Sequence, residues 1–177
     1  IARACGQWPV REKVPQVTAT FGASHFSPNH AVALIVMLGD MGADIIKVEE
    51  PTKGDPFRGW GRVEYSPTFG SVNRNKKSVT LDLKSDQGKA DARALILSAD
   101  VVIENFRVGT LARYGLDYEH LKKINPRLIY CSLTGFGQEG PNRHRPGYDA
   151  IFQAMGGLMS SIGHPDGAPG GGPLRTG

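Results

Sequence analysis

The hydrophobic pattern changes period several times along this chain. Residues 31–38 form the longest apolar run, and the pattern predicts a buried helix over 30–41 that Gly42 terminates. Residues 44–49, Asp-Ile-Ile-Lys-Val-Glu, predict a strand, and a Gly/Pro-rich loop follows over 50–64. Residues 79–83 alternate Val-Thr-Leu-Asp-Leu, the period of a strand with one wet face. Ser85 is placed to cap a helix over 86–98, with Ala90, Ala94, Leu95 and Leu97 expected near its inner side. Strands are predicted over 101–105 and 128–134. Between them Asp117 would cap a helix over 118–124 that Asn125-Pro126 stops. Residues 141–147 read as a basic loop, 150–162 as a helix and 163–177 as a Gly/Pro-rich tail. Residues 1–29 carry Pro9, Pro15 and Pro28 among polar positions and are expected to be irregular.

Alternation of strands and helices argues an α/β fold, a Rossmann-like and mostly parallel sheet with helices on both faces. In such sheets ligands bind beyond the carboxyl ends of the strands. Those ends are Glu49-Glu50, Leu83-Lys84, Asn105-Phe106-Arg107 and Thr134-Gly135.

Composition narrows the class. The chain has 177 residues, 40% hydrophobic and 21% charged, enough for one packed domain. No run of 18 apolar residues exists, so no membrane span is read. Two cysteines, Cys5 and Cys131, make no disulfide framework, and no ligand spacing suggests a metal. A reducing compartment, cytoplasmic or mitochondrial rather than secreted, is expected. The net charge is +4 and the pI about 9.2, which permits an anionic partner. Cations cluster at 74–77 and 143–145 without the interleaved aromatics a nucleic-acid surface needs, so no nucleic acid is expected.

Gly135-Phe-Gly-Gln-Glu-Gly140 matches the dinucleotide pattern G-x-G-x-x-G. The last glycine should open a helix, but a Pro-Asn-Arg-His-Arg-Pro loop follows, so the pattern is read as a tight strand-end turn. Lys84, Arg107 and Arg113 are expected to converge on one sheet edge, which suits several phosphates, or else to be solvated surface charge. Asn105 offers an amide and Phe106 an apolar face for a purine. Asp149 is either a helix cap or a site carboxylate served by Tyr148. Cys131 reads as an inert core thiol.

Several segments in fixed order carry a resemblance. They are residues 42–51, Gly54-Asp55, residues 73–84, Ala99-Asp-Val-Val-Ile-Glu-Asn-Phe106, residues 125–130, Thr134-Gly-Phe-Gly-Gln-Glu-Gly-Pro141, Arg145-Pro-Gly-Tyr-Asp149 and residues 153–159. Over residues 30–177 the chain resembles the class III coenzyme A-transferases. The resemblance implies part of the large domain of an interlocked homodimer, truncated before the expected nucleophile. It implies coenzyme A as acyl-CoA substrate and a small carboxylic acid as partner. It matches Leu81 and Lys84 to positions near the adenosine and phosphates. Asn105, Phe106 and Arg113 match others that hold the nucleotide, and Tyr148 and Asp149 match positions near the thioester. Arg107, at the same strand end, is grouped with the CoA-binding residues.

The chemistry so implied is attack of an aspartate carboxylate on a thioester, giving a mixed anhydride in a pocket that excludes water. That aspartate would follow Gly177, leaving Asp149 a supporting carboxylate. The expected first strand and the turn before the first helix are not recognisable, because His30-Ala-Val stands where an Ala-Gly-Pro turn belongs. An α-methylacyl-CoA racemase, with His-Asp at the Tyr148-Asp149 position, is one alternative. Tyrosine, with a reference pKa of about 10, is poorly suited to be that base. A non-catalytic CoA-binding fragment is the other.

Overall fold

The computed structural model describes residues 16–21, 29–59 and 66–176. Cys5, the other positions before Gln16, the last part of the 50–64 loop and Gly177 lie outside the described residues. So do the side chains of residues 16–21 and 29–33.

Five parallel strands form one sheet in the order β3-β2-β1-β4-β5. They are β1 (Gln16–Phe21), β2 (Asp44–Glu49), β3 (Lys76–Thr80), β4 (Val101–Glu104) and β5 (Ile129–Ser132). The chain first winds outward from β1 to β3, then restarts at β4 on the other side of β1. The direction of winding therefore reverses between β1 and β4, where parallel sheets open a crevice.

Register alternates residues between two apolar layers. Ile45 and Ile103 face α1 (Asn29–Asp40) and meet Ile35. Val48 and Val102 face the opposite layer, with Ala92 and Ile96 of α3 (Asp86–Ser98), Leu111, Leu116, Leu128 and Leu121 of α4 (Tyr118–Leu121). A strand covered on both faces is buried at both parities, which is why apolar residues stand side by side at Ile45-Ile46 in β2 and Val101-Val102-Ile103 in β4.

The structure corrects several expectations. The segment expected to be irregular contains β1, paired through Val17↔Ile45 and Val17↔Val101 at the centre of the sheet. Its Val17, Ala19 and Phe21 alternate with threonines, a period-two signal masked by the surrounding prolines. The strand expected over 79–83 is Lys76–Thr80, so Leu81–Lys84 lie beyond the sheet. Ser85 does cap α3, accepting from the Gly88 amide at 3.0 Å. The buried stripe of α3 is Gly88, Ala92 and Ile96, whereas Ala90, Ala94 and Leu97 are exposed and Leu95 is half-buried. Position 88 needs glycine, because a Cβ there would lie 2.0 Å from the Asp82 carbonyl oxygen.

Asp117 makes no cap hydrogen bond; its carboxylate pairs with the His120 ring, and α4 is a single turn. The helix expected over 150–162 is two helices, α5 (Asp149–Met155) and α6 (Leu158–Ile162). Gly157 breaks it at φ +79°, a conformation that disfavours side chains. The sequence pattern did not predict α2 (Pro67–Asn73), although Ser66 accepting from the Phe69 amide and Pro67 at the first turn form a standard helix start. Among the described residues, no helix is long and apolar enough to cross a membrane.

Candidate functional site

The carboxyl ends of β2, β3 and β4 enclose a cleft of about 140 Å³. Its apolar walls are Val48, Leu81, Leu83, Phe106 and Tyr114, with Lys84 and Glu50 among the polar lining residues. The Leu81 amide donates to the Glu49 carbonyl at 3.0 Å, carrying β3 past the sheet before the chain turns. The Lys84 amide then bonds the Asp82 carboxylate at 2.9 Å, and the Lys84 side chain is left exposed. Glu50 is held below the ordinary carboxylate range by hydrogen bonds from Thr52 and the Lys53 amide, with Lys84 adding a smaller attraction.

Phe106 is fixed from below. Its amide donates to the buried Glu104 carboxylate at 2.8 Å. Burial pushes the Glu104 pKa up, against the hydrogen bonds it receives from Ser132 and Phe106. Asn105 turns its amide onto the Leu133 carbonyl at 2.5 Å, tying the end of β4 to the end of β5. Its side chain thus shapes the rim through the backbone.

Phe106 also lines a second, smaller cleft of about 10 Å³ with Arg107, Val108, Leu133, Thr134, Gly135, Arg143, His144 and Arg145. Lys84 and Arg107 therefore stand on one carboxyl edge without converging: β2 and β1 separate their strands, and the two residues line different clefts on either side of Phe106. Arg113 is exposed in the 3-10 turn Leu111–Tyr114 and lines neither cleft, while its neighbour Tyr114 lines the first.

Tyr148 stands just before α5 and is 44% exposed. Asp149 is the first residue of α5, not its cap, and accepts from Gln153 Nε2 at 2.6 Å. Gln153 is buried and also bonds the Thr176 carbonyl at 2.8 Å and amide at 3.0 Å. The amide thereby pins the last described residue against α5. Cys131 is half-buried, and burial raises its thiol pKa.

A polar network absent from the sequence reading holds one wall of the first cleft. Glu49, at the end of β2, receives Arg58 Nη2 at 2.9 Å, Arg58 Nε at 3.0 Å, Ser78 Oγ at 2.7 Å and the Asp55 amide at 2.9 Å. Burial opposes its ionisation, but these partners and Lys47 outweigh burial and bring its pKa to about 2. Lys47 donates to the Asp55 carboxylate and, at 2.8 Å, to the Asn73 side-chain Oδ1. The Arg58 guanidinium stacks 4.1 Å from the Phe69 ring centroid. Lys47 and Glu49, charges interleaved with Ile45, Ile46 and Val48 in β2, were the available signal.

An all-parallel 3-2-1-4-5 sheet with a cleft at its carboxyl rim defines a Rossmann-like α/β domain. CoA-transferase family III matches residues 28–177, and the chain belongs to that family. A succinate–glutarate CoA-transferase of Agrobacterium fabrum is 52% identical over 142 residues, 75% of this chain and 36% of that protein. An acetyl-CoA:oxalate CoA-transferase of Acetobacter aceti is 49% identical over 135 residues, 75% of this chain and 35% of that protein. Among solved structures, a CAIB/BAIF family protein of Brucella suis superposes with a TM-score of 0.81 at 43% identity, covering 93% of this chain and 43% of its own. The chain thus spans about a third of the length of these curated relatives.

Proposed function

We propose that the whole protein moves coenzyme A from an acyl-CoA to a dicarboxylic acid, and that this chain holds the nucleotide end of the CoA substrate. The observation that carries the reading is the rim cleft, where Leu81, Leu83 and Phe106 supply apolar faces and Lys84 an exposed cation. A purine fits between apolar faces, and a lysine at the opening suits a phosphate. Arg113, one residue before Tyr114 of the cleft wall, is assigned to the phosphates, and Arg107 to the CoA chain on the far side of Phe106. Asn105 sets the rim on which the handle lies. Tyr148 and Asp149 lie toward the thioester. Glutarate and oxalate, the acids in the two relatives' names, are both dicarboxylic acids, which supports an acceptor of that class.

Chemistry in this reading uses an aspartate beyond residue 177. Its carboxylate attacks the thioester carbonyl, and the CoA thiolate leaves. The thiolate then attacks the enzyme's own carbonyl of the anhydride, releasing the first acid and leaving an enzyme–CoA thioester. The acceptor carboxylate reverses the sequence and restores the aspartate. Residues 1–177 alone would bind CoA without turning it over, and the whole protein would act as a homodimer.

In the test, the full-length protein is given an acyl-CoA and an added dicarboxylic acid, and CoA exchange is followed with hydroxylamine trapping of an acyl-aspartate. Exchange of the α-proton without acyl transfer would instead assign a racemase. Titration calorimetry with CoA should show weakening of about 10- to 150-fold for Lys84→Ala and for Arg113→Ala, the range of one lost charge-assisted hydrogen bond. Unchanged affinity in both variants overturns the phosphate assignment.

A further inference from the structure

We infer that Phe152 is a positioning residue of the transfer site: its ring, seated in a socket of two glycines, holds the Tyr148–Asp149 corner against the carboxyl rim of β5. The inference rests on the transferase reading above, in which that corner lies toward the thioester. Phe152 is the fourth residue of α5 and is half-buried. Neither it nor Phe136 belongs to the two apolar layers on the faces of the sheet. Its ring tip instead enters a gap between the backbones of Gly135 and Gly147. A Cβ on Gly135 would lie 2.5 Å from Phe152 Cζ, and one on Gly147 would lie 2.0 Å from the same atom.

The socket accounts for two glycines that turn geometry does not. In the Gly135-Phe-Gly-Gln-Glu-Gly140 segment, Gly137 and Gly140 have φ of +80° and +87°, the tight-turn role expected of the motif. Gly135 and Gly147 have no positive φ, so left-handed backbone is not what calls for glycine there. The ring between them leaves no room for a Cβ at either position. A Cβ on Gly135 would also come within 3.3 Å of Gly147 Cα, so the two backbone segments nearly touch. Phe136 closes the side of the socket, edge-on to Phe152 with 5.4 Å between ring centroids. The Arg145 guanidinium stands 5.5 Å from the Phe136 ring centroid.

The consequence falls on Tyr148 and Asp149. The Phe152 amide donates to the Tyr148 carbonyl at 3.1 Å, while the Phe152 ring presses on Gly147, the residue before Tyr148. One residue therefore grips the corner through both its backbone and its side chain. Gln153, the next residue, holds the Asp149 carboxylate at 2.6 Å. The other side of the socket is the loop after β5, whose Gly135 lines the small cleft beside Phe106. Phe152 thus sets where the thioester end of the site stands relative to the nucleotide end. It lines neither cleft, so its loss leaves the nucleotide contacts in place and misplaces only the reacting end. A displacement of about 1 Å there can slow a reaction by about 100-fold.

The test compares Phe152→Leu and Gly147→Ala in the full-length protein, by the kinetics of CoA exchange onto glutarate and by calorimetry with CoA. The expected result is a fall in kcat of roughly 10- to 100-fold with CoA affinity held within about 3-fold, the split that lost alignment gives. The double variant should be no slower than Phe152→Leu alone, because the ring that the Gly147→Ala methyl displaces is already gone. Gly135→Ala pushes the same ring from the rim side with α5 unaltered and should give the same split; it decides the matter if either of the first two variants fails to fold. The inference is overturned if kcat stays within about 3-fold of wild type, if CoA affinity falls in step with kcat, or if the losses in the double variant multiply. Wild-type protein that binds CoA but exchanges it with no added acid overturns the transferase reading itself, and the role assigned to Phe152 falls with it.

Discussion

Glu49 is the buried charge on which the wall of the rim cleft hangs, and its replacement by glutamine has a calculable effect. The residue is 6% exposed, and both oxygens are used. Between them they join three pieces of chain: the 50–59 loop through Asp55 and Arg58, β3 through Ser78, and β2 itself. The pKa of about 2, against 4.5 for a free glutamate, corresponds to about 3 kcal/mol favouring the ionised form. The folded-state pKa lies below the unfolded one. The stabilisation is therefore complete above pH about 4.5 and is lost as pH falls toward about 2. Glu49→Gln keeps the shape and one acceptor but removes the charge that Arg58 answers. Hydrogen exchange of the 50–59 peptide in the full-length protein should show the loop opening roughly 100-fold more often at pH 7, the factor that 3 kcal/mol implies. The gap between wild type and variant should close as the pH approaches 2. Protection within threefold of wild type at pH 7, or a gap independent of pH, would refute the role given to the Glu49 charge.

Three other perturbations test neighbouring claims. Gly88→Ala forces a methyl onto the Asp82 carbonyl and should destabilise the protein by about 2 kcal/mol or more in urea unfolding, whereas Ala90→Gly on the exposed face should cost about 1 kcal/mol or less. Gln153→Leu strands the Asp149 carboxylate and the Thr176 backbone, with an expected cost of about 1–3 kcal/mol and faster exchange at residues 174–176; unchanged exchange there would show that the amide is no clamp. Lys76 donates to the Val72 carbonyl at 2.7 Å, and burial lowers its pKa to about 8, helped by Lys47. Its charge therefore opposes folding below pH 8, and stability should rise between pH 8 and 10.5, a slope that Lys76→Met removes when thermal unfolding is followed across that range.

Which features the chain discloses locally, and which only the assembled sheet reveals, follows from how far apart the determinants lie. Strand β2 and helix α3 were legible to the residue, because each is specified by its own apolar period and, for α3, by Ser85. The inner side of α3 was not. Alanine, leucine and isoleucine occur all round that helix, and what selects Gly88, Ala92 and Ile96 is the Asp82 carbonyl pressed against it. β1 is the sharper case. Its six residues look unremarkable between prolines, and its identity as the central strand comes from pairing with segments that begin at Asp44 and Val101.

The same distinction explains the site. The rim residues could be named in advance because a parallel sheet puts every strand's carboxyl end on one edge. Their grouping could not, since it depends on strand order: β1 and β2 intervene between the strands that carry Lys84 and Arg107, and Phe106 divides the edge into two clefts of different size and charge. That division has a chemical consequence. The larger cleft has apolar faces with Lys84 at its edge, and the smaller is lined by Arg107, Arg143 and Arg145. Glu104, holding the Phe106 amide at 2.8 Å, is what keeps the wall between them in place, so a substitution there should disturb both clefts together, while one at Lys84 or Arg143 should disturb only its own.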